Sequence, residues 1–225
     1  MIPDPKQCMK ILEEHDVVAH IIEHSQIVSK VAVFLAKELK KTGEKINIPL
    51  LEAAALLHDL DKLKTNQEPE NHGKLAFELL RGDHPEVAEL IPKHCFPYLL
   101  DNQLKTWEEK LLNYADMRVL HNELVTREER HEDAKRRYPD ETGGRRDEAE
   151  KEASKIEKEI FTKINLKPHK LAQTIEEEKE KQRKLKALKR KQKQEVKEEA
   201  PAASEKEEEV AGKEEIQTQN IPEEQ

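Results

Sequence analysis

A short apolar stretch that ends in two ionisable residues constrains the fold of this chain more than any other feature of its sequence. Residues 50–57 are apolar apart from Glu52, and His58 and Asp59 follow directly. An imidazole and a carboxylate at the end of a buried helix resist desolvation unless something pairs with them. A divalent metal ion is the obvious partner, so this stretch predicts a buried helix that carries metal ligands at its end.

The apolar residues recur at helical spacing along most of the chain. Aliphatic residues at three- and four-residue steps cover 21–39, and this stripe includes His24. Asp16 is the expected cap of that helix. Asn47 followed by Pro49 predicts the start of the next helix, because proline suits a first turn.

The same spacing predicts further helices, and the alternation typical of β-strands is not evident. The predicted helices cover about 72–80, 85–94, 104–121, 122–137 and 149–164, with loops at 65–70, 96–103 and 138–144. The sequence therefore predicts an all-α helical bundle.

The composition changes near Pro168. Aliphatic residues are dense over 11–120, whereas Glu, Lys and Gln dominate after residue 170; charged residues make up 39% of the chain and aromatic residues only 4%. We expect a bundle domain over 1–167, a charged helical extension over 168–199 and a disordered tail over 200–225. Sustained heptads are absent, which favours a single solvated helix over a coiled coil for the extension.

Charge, cysteine content and hydropathy narrow the class of protein. The formal net charge of −8 does not indicate a general nucleic-acid binder, and the two cysteines fit a reducing compartment. No apolar stretch approaches the roughly 18 residues that a membrane span needs, and the first residues do not resemble a signal peptide. We expect a cytoplasmic protein without a membrane segment.

Candidate metal ligands are contributed by four predicted helices: His24, the adjacent pair His58 and Asp59, His94, and Asp116. Imidazole and carboxylate groups suit a borderline-hard divalent ion such as Mn, Fe, Co or Mg, whereas a structural zinc site would more often use cysteines. Such an ion lowers the pKa of bound water and clamps phosphoryl oxygens. Together these residues favour a hydrolytic metal site over a set of ordinary core histidines.

The order of these residues resembles the HD superfamily of metal-dependent phosphohydrolases. Residues 53–62, AAALLHDLDK, are very similar to its central motif, and His24 with the following SQIV matches its first histidine helix. Asp116, in the phrase YAD, completes a resemblance that covers about residues 15–125. It implies a helical bundle that hydrolyses an ester or anhydride in a phosphorylated small molecule or nucleotide, and it does not specify a substrate.

Two histidines are similar to the extra ligands of the two-metal branch of that superfamily. They are His72, at a predicted helix start, and His94, at a predicted helix end. In that branch the Asp of the HD pair, here Asp59, bridges the ions. This chain departs from the branch in its short loop between Asp59 and His72, and in Cys95, where many relatives carry a second His or a Thr. At this point the number of ions, one or two, stays open.

The predicted catalytic residues are Asp59, Asp61 and Lys62. Lys62 lies one turn beyond His58 and is expected to neutralise a substrate phosphate, although a lysine there also suits a helix C-terminus. Arg118, just past Asp116, is a weaker candidate for the same role. Asp61 is expected either to orient a ligand histidine or to accept a proton.

The main alternative is a module that keeps the same bundle and senses a nucleotide or binds a partner without cleaving anything. The charged extension is suited to a protein partner. Its Lys-rich run, 181–193, is a less favoured candidate for contact with RNA, because the flanking glutamates indicate a solvated helix.

Overall fold

The computed structural model describes residues 1–137 and 145–214, with 195–214 as backbone alone. The chain divides into two compact units, Met1–Ile175 and Glu176–Gln225. The described helices and strands are α1 (Pro5–Glu14), α2 (Ala19–Lys41), α3 (Ile48–Leu57), α4 (Lys74–Leu80), α5 (Pro85–Leu90), α6 (Trp107–Asp116), β1 (Val119–Leu120), β2 (Glu123–Leu124), α7 (Arg127–Arg137), α8 (Arg146–Ile164) and α9 (Leu171–Glu214). The predicted all-α class is confirmed.

Helix α3 lies at the centre of the first unit. Asn47 caps it by accepting a hydrogen bond from the backbone N–H of Leu50 at 3.2 Å, as the sequence predicts. Its residues from Ala53 to Leu57 are all buried, because α1, α2, α5 and α6 surround it. A helix enclosed in this way must be apolar on every face. His58 is the C-terminal cap of α3 and is fully buried in the interior of the first unit.

The segment after Asp116 differs from the predicted pair of helices over 104–121 and 122–137. Helix α6 ends at Asp116, and an antiparallel hairpin of β1 and β2 follows, with Val119 opposite Leu124. His121 turns the chain with a φ of 54°. β-Branched residues, which favour extended backbone, flank this turn. The prediction of continuous helix here was wrong.

Two predicted helix boundaries are also corrected. Asp16 does not cap α2; it adopts a φ of 57° in the turn after α1, and Val18 takes the cap position without a side-chain hydrogen bond. Helix α4 begins at Lys74 rather than near His72, because Gly73 precedes it in the left-handed region at a φ of 80°. His72 is therefore a loop residue.

The segment 85–94 is only partly α-helical. Helix α5 ends at Leu90, and the chain continues as a 3-10 helix over Ile91–His94. Another 3-10 helix covers Phe96–Asn102, where the sequence predicts a loop. His94 is the last residue of the first of these 3-10 helices and is buried.

The C-terminal helices differ in burial. Helix α8 buries Ala149, Ala153 and Ile160 and packs against α2 and α6, as its apolar stripe predicts. In α9, Leu185 and Leu188 are about half exposed, and the choice of a single solvated helix over a coiled coil stays a prediction.

The predicted domain limits at 167 and 199 stay predictions. The first compact unit extends to Ile175. The predicted loop over 138–144 and the tail from 215 onward lie outside the described residues.

Within the described ranges, no helix combines the length and the apolar character needed to cross a bilayer.

Candidate metal centre

The structure brings all the predicted metal ligands together at the centre of the first unit. The rings of His24 and His58 lie 5.3 Å apart, and the His94 ring lies 4.8 Å from both His58 and His72. Five separate segments contribute: α2, the end of α3, the loop before α4, the 3-10 helix after α5, and the end of α6. The predicted ligands that meet here are His24, His58, Asp59, His72, His94 and Asp116.

Each of the four histidines is held through its Nδ1 atom by an acceptor that leaves Nε2 facing the centre. The acceptors are the carbonyl oxygen of His121 for His24 (2.8 Å), that of Ala55 for His58 (2.9 Å), that of Ile91 for His94 (2.6 Å), and the carboxylate of Asp61 for His72 (2.8 Å). A neutral imidazole has one N–H, so donation from Nδ1 leaves a lone pair on Nε2. This pattern is typical of histidines prepared for metal binding.

The first group of ligand atoms surrounds Asp116 and one oxygen of Asp59. Oδ1 of Asp116 lies 2.9 Å from Nε2 of His24 and 3.5 Å from Nε2 of His58. Oδ2 of Asp59 lies 3.9 and 3.6 Å from the same two nitrogens. Among the described residues, the fully buried Nε2 of His58 has no hydrogen-bond partner. We call this group the first pocket.

The second group, called the second pocket, combines His72, His94 and the other oxygen of Asp59. Nε2 of His72 and Nε2 of His94 lie 2.9 Å apart. Oδ1 of Asp59 lies 3.1 Å from Nε2 of His72 and 3.8 Å from Nε2 of His94. Two imidazole nitrogens this close hold a positive charge between them, either a proton or a metal ion, because two bare lone pairs would repel each other. The neighbouring carboxylate of Asp59 makes the second pocket suited to a cation.

Asp59 is shared by the two pockets, with one carboxylate oxygen turned toward each. The donor atoms are imidazole nitrogens and carboxylate oxygens, which bind divalent ions at about 2.0–2.2 Å. The orphaned Nε2 of His58 and the facing Nε2 atoms of the second pocket show that the residues present fit a divalent ion in each. The arrangement therefore favours two ions over one.

The central carboxylates are ionised. Burial opposes the charge of Asp59, but His58, Lys62 and His72 outweigh it and hold the pKa of this carboxyl well below its usual range. Burial likewise opposes the charge of Asp116, but the hydrogen bond with His24 and the nearby imidazole of His58 lower its pKa well below the ordinary value. Both groups are therefore anionic ligands rather than proton donors.

Neighbouring carboxylates raise the pKa of His24 and of His72. Burial disfavours protonated His24, yet its hydrogen bond to Asp116 raises its pKa. For His72 burial has the same opposing effect, and the hydrogen bonds to Asp59 and Asp61 raise its pKa to about 9. Protons and metal ions therefore compete for these two nitrogens near neutral pH.

Asp61 positions a ligand and is not available as a proton acceptor. It is fully buried, and its Oδ1 accepts the hydrogen bond from Nδ1 of His72. Its Oδ2 accepts hydrogen bonds from the backbone N–H groups of Gly73 at 2.8 Å and Ala76 at 2.9 Å. Burial opposes its charge, but these hydrogen bonds lower its pKa. Of the two predicted roles, the structure favours orientation of His72.

Lys62 lies at the edge of the centre. Its Nζ is 3.4 Å from Oδ1 of Asp59, and 47% of its side chain is exposed. Burial opposes its charge, but Asp59 and Asp116 raise its pKa, so it stays an ammonium group. Its position combines contact with the centre and access from solvent.

Arg118 lies away from the centre, and its predicted role in phosphate binding is corrected. The residue is buried and donates from Nε to the carbonyl oxygen of Val125 at 2.7 Å. Its other nitrogens donate to the hydroxyl of Tyr114 at 2.6 Å and to the carbonyl oxygen of Pro168 at 3.3 Å. This arginine joins α6, the hairpin and the segment before α9, so its donors are engaged inside the fold.

Asn113 is a positioning residue that the sequence analysis missed. Its buried side chain donates from Nδ2 to the carbonyl oxygens of Lys93 at 2.9 Å and His94 at 3.0 Å. It therefore ties α6, which carries Asp116, to the segment that carries His94. The available signal was a polar residue within the apolar run of α6, three positions before Asp116.

Comparisons with known proteins agree with this arrangement. The HD domain model matches residues 21–204. The chain is 32% identical to the tRNA (cytidine(56)-2'-O)-methyltransferase of Thermoplasma volcanium over 96 residues. This aligned segment makes up 42% of this chain and 26% of that relative. The chain is 26% identical to the protein of the same name from Picrophilus torridus over 138 residues. This second aligned segment makes up 55% of this chain and 38% of that relative. The chain thus spans well under half the length of these curated relatives, and no solved structure matches it.

Proposed function

The chain belongs to the HD domain family, and on that basis we propose that it is a metal-dependent phosphohydrolase that cleaves an ester or anhydride in a nucleotide or related phosphorylated metabolite. The position of Asp59 between two groups of inward-facing Nε2 atoms carries this proposal. An anionic carboxylate that serves two cation pockets is suited to phosphoryl chemistry, in which paired ions clamp the attacking and leaving oxygens.

The predicted ligands would bind two ions. His24, His58 and Asp116 would hold an ion in the first pocket, and His72 and His94 would hold an ion in the second, with Asp59 between them. Divalent ions there would supply positive charge for the phosphoryl oxygens and lower the pKa of a water.

Hydrolysis adds a water oxygen to phosphorus as the bond to the leaving oxygen breaks, and the leaving oxygen takes up a proton. Lys62 would contact a phosphoryl oxygen at the solvent-exposed edge of the centre, because it is cationic and partly exposed. Asp59 and Asp116 would stay ionised throughout, because their pKa values lie far below neutral.

Metal reconstitution followed by a substrate screen tests the proposal. The full chain is stripped with a chelator, loaded anaerobically with Mn, Fe, Co or Mg, and assayed on phosphomonoesters, phosphodiesters and nucleotide anhydrides. We expect turnover with at least one ion and its loss in His58→Gln. Turnover in no metal form above that of His58→Gln would contradict the proposal.

The same samples separate an enzyme from a nucleotide-sensing module. A sensor would show a thermal shift with a nucleotide while forming no product. The full set of ligand side chains favours the enzyme, since a sensor does not need a complete metal site.

Contact with RNA is a second candidate function, favoured by two observations. The curated relatives are named as tRNA methyltransferases, and residues 181–194 contain eight lysines or arginines and no acidic residue. The methyl transfer in those names belongs to proteins of which this chain spans only a part, so it is not carried over.

Fluorescence anisotropy with a labelled tRNA, measured at several salt concentrations, tests this contact. Binding through the basic run should weaken steeply with salt and fall when its lysines are changed to glutamine. Affinity that is independent of salt and of those lysines would exclude it.

A further inference from the structure

Cys95 lies beside the second pocket and has no part in the proposed reaction. Its Sγ is 3.7 Å from Nε2 of His94, 3.9 Å from Nδ1 of the same ring and 3.4 Å from the carbonyl oxygen of His72. One potential ligand atom each from His72, His94 and Cys95 lie within 4.8 Å of one another. A sulfur donor thus adjoins the two imidazoles.

We propose that the thiolate of Cys95 is a further ligand of the ion held by His72 and His94, and that the second pocket therefore prefers softer divalent ions, such as Zn²⁺, Fe²⁺ and Co²⁺, to Mg²⁺. The inference rests on the proposed function only in that both place an ion in this pocket. On binding, the thiol proton leaves to solvent and a metal–sulfur bond forms.

The separations between donor atoms agree with a common ion. Imidazole nitrogen binds zinc at about 2.0–2.1 Å and thiolate sulfur at about 2.3 Å, so two donors on one ion lie roughly 2.9–3.9 Å apart for ordinary angles. The two Nε2 atoms lie 2.9 Å apart, within this range, and Sγ lies 3.7 Å from Nε2 of His94, close enough to reach the same ion after its side chain rotates. Oδ1 of Asp59 lies 3.1 and 3.8 Å from the two nitrogens.

The sulfur needs only a side-chain rotation to bind. Because Sγ is nearly equidistant from both nitrogens of His94, it lies beside the ring, and a turn about the Cα–Cβ bond of Cys95 would direct it at the ion. The contact given up is a hydrogen bond from a thiol to a carbonyl oxygen, which is weak.

Gly73 leaves room for this sulfur. A Cβ atom at position 73 would lie 3.0 Å from Sγ of Cys95, and Gly73 adopts a φ of +80°, which side chains rarely tolerate. The backbone here therefore allows the sulfur to remain next to the two histidines.

The two pockets then differ in chemistry. The first offers two nitrogens and two carboxylate oxygens, whereas the second adds a sulfur to two nitrogens and one oxygen. Thiolate favours softer ions over Mg²⁺, while carboxylate-rich sets accept Mg²⁺ and Mn²⁺. We therefore expect two classes of metal affinity in one centre.

Cobalt spectroscopy on the full chain tests the proposal directly. Chelator-stripped protein is titrated anaerobically with Co²⁺, and the near-ultraviolet region is monitored for a thiolate-to-cobalt charge-transfer band. The matched control is Cys8→Ala, because Cys8 is buried in α1 and its Sγ contacts the carbonyl oxygen of Pro3. We expect the band in the unchanged protein and in Cys8→Ala, and its loss in Cys95→Ser. A saturated protein without the band, or a Cys95→Ser variant that keeps it, would overturn the proposal.

Metal affinities provide a second readout that does not depend on the spectrum. In competition with a chromophoric chelator, Cys95→Ser should lose roughly 10- to 100-fold in affinity for Zn²⁺ while its affinity for Mg²⁺ changes little. Equal losses for both ions would contradict a sulfur ligand and indicate a general disturbance of the pocket.

Hydrolysis assays on the Mn-, Fe-, Co- and Mg-loaded forms of the same protein keep the two proposals distinct. A cobalt–sulfur band without turnover of any phosphate compound would leave the Cys95 ligand in place and remove the hydrolase assignment. Turnover without the cobalt–sulfur band would support the hydrolase assignment and remove Cys95 as a ligand.

Discussion

The carboxylate of Asp61 accepts a hydrogen bond from Nδ1 of His72 at 2.8 Å, and its other oxygen binds two backbone N–H groups at the start of α4. One buried carboxylate thus fixes a helix start and the tautomer of a metal-facing histidine. The geometry of the second pocket depends on this residue, although it does not face the ions itself.

Replacement of Asp61 should therefore weaken metal binding without removing a ligand. In Asp61→Asn we expect the metal affinity of the second pocket to fall about 10- to 100-fold, because a single amide oxygen cannot accept from both His72 and the two backbone N–H groups. Calorimetric titration with Mn²⁺ measures this, with Asp83→Asn on the surface as control. An unchanged affinity in Asp61→Asn would show that His72 is held by other contacts.

His58 contributes to the first pocket a buried nitrogen that has no hydrogen-bond partner in the part of the chain that the structure describes. In His58→Gln we expect hydrolytic activity to fall at least about a hundredfold and the metal content to drop, with little change in circular dichroism. His20→Gln is the matched control, since His20 is exposed on α2 one turn before His24. Comparable activity in the two variants would remove His58 from the centre.

Lys62 should act on substrate rather than on the ions. Lys62→Gln removes a charged hydrogen bond worth about 1.5–3 kcal/mol, so kcat/KM should fall roughly 10- to 100-fold while the metal content stays unchanged. Lys64→Gln, a change of an exposed neighbour, should leave kcat/KM close to that of the unchanged protein. If the two variants behave alike, Lys62 has no contact with phosphate.

Arg118 should matter for stability and not for catalysis. Arg118→Met leaves the buried Tyr114 hydroxyl and Glu157 without this partner, so the free energy of unfolding should fall by about 3 kcal/mol. Urea denaturation measures this change, and Arg136→Met, at an exposed position, is the control. A raised KM at full stability would restore the phosphate-binding role.

The raised pKa of His72 predicts a pH dependence for the metal-free protein. The pKa is about 9 in the folded state and about 6.5 in the unfolded state, so folding favours the protonated ring. Its contribution, up to about 3 kcal/mol, is complete below pH 6.5 and is lost as the pH rises through 9.

Urea denaturation in the presence of a chelator, from pH 6 to 10, checks this pH dependence. His72→Gln should flatten the curve. A free energy of unfolding that does not decline over this range in the unchanged protein would contradict the pKa assignment.

Part of this protein could be read from local patterns. The apolar run before His58 predicted the central helix. The spacing of alanines and isoleucines predicted α8, because a helix that is buried on one face carries apolar residues at three- and four-residue steps. The residue types at positions 24, 58, 59 and 116 predicted a metal centre, since imidazole and carboxylate groups are rarely buried without a partner.

Other features depended on contacts between residues far apart along the chain. The hairpin after α6 could not be distinguished from helix in the sequence, because two-residue strands are too short to show alternation. Arg118 follows Asp116 closely in sequence, yet its donors are engaged by Tyr114, Val125 and Pro168 rather than by the centre.

The sequence by itself determined that imidazole and carboxylate groups would lie within the apolar bundle, and it predicted a cation as their partner. Only the tertiary structure decided that they form two pockets on either side of Asp59, and that Cys95 adjoins one of them. The physical reason is that helical periodicity is a local property, whereas the sharing of ligand atoms depends on how five separate segments pack.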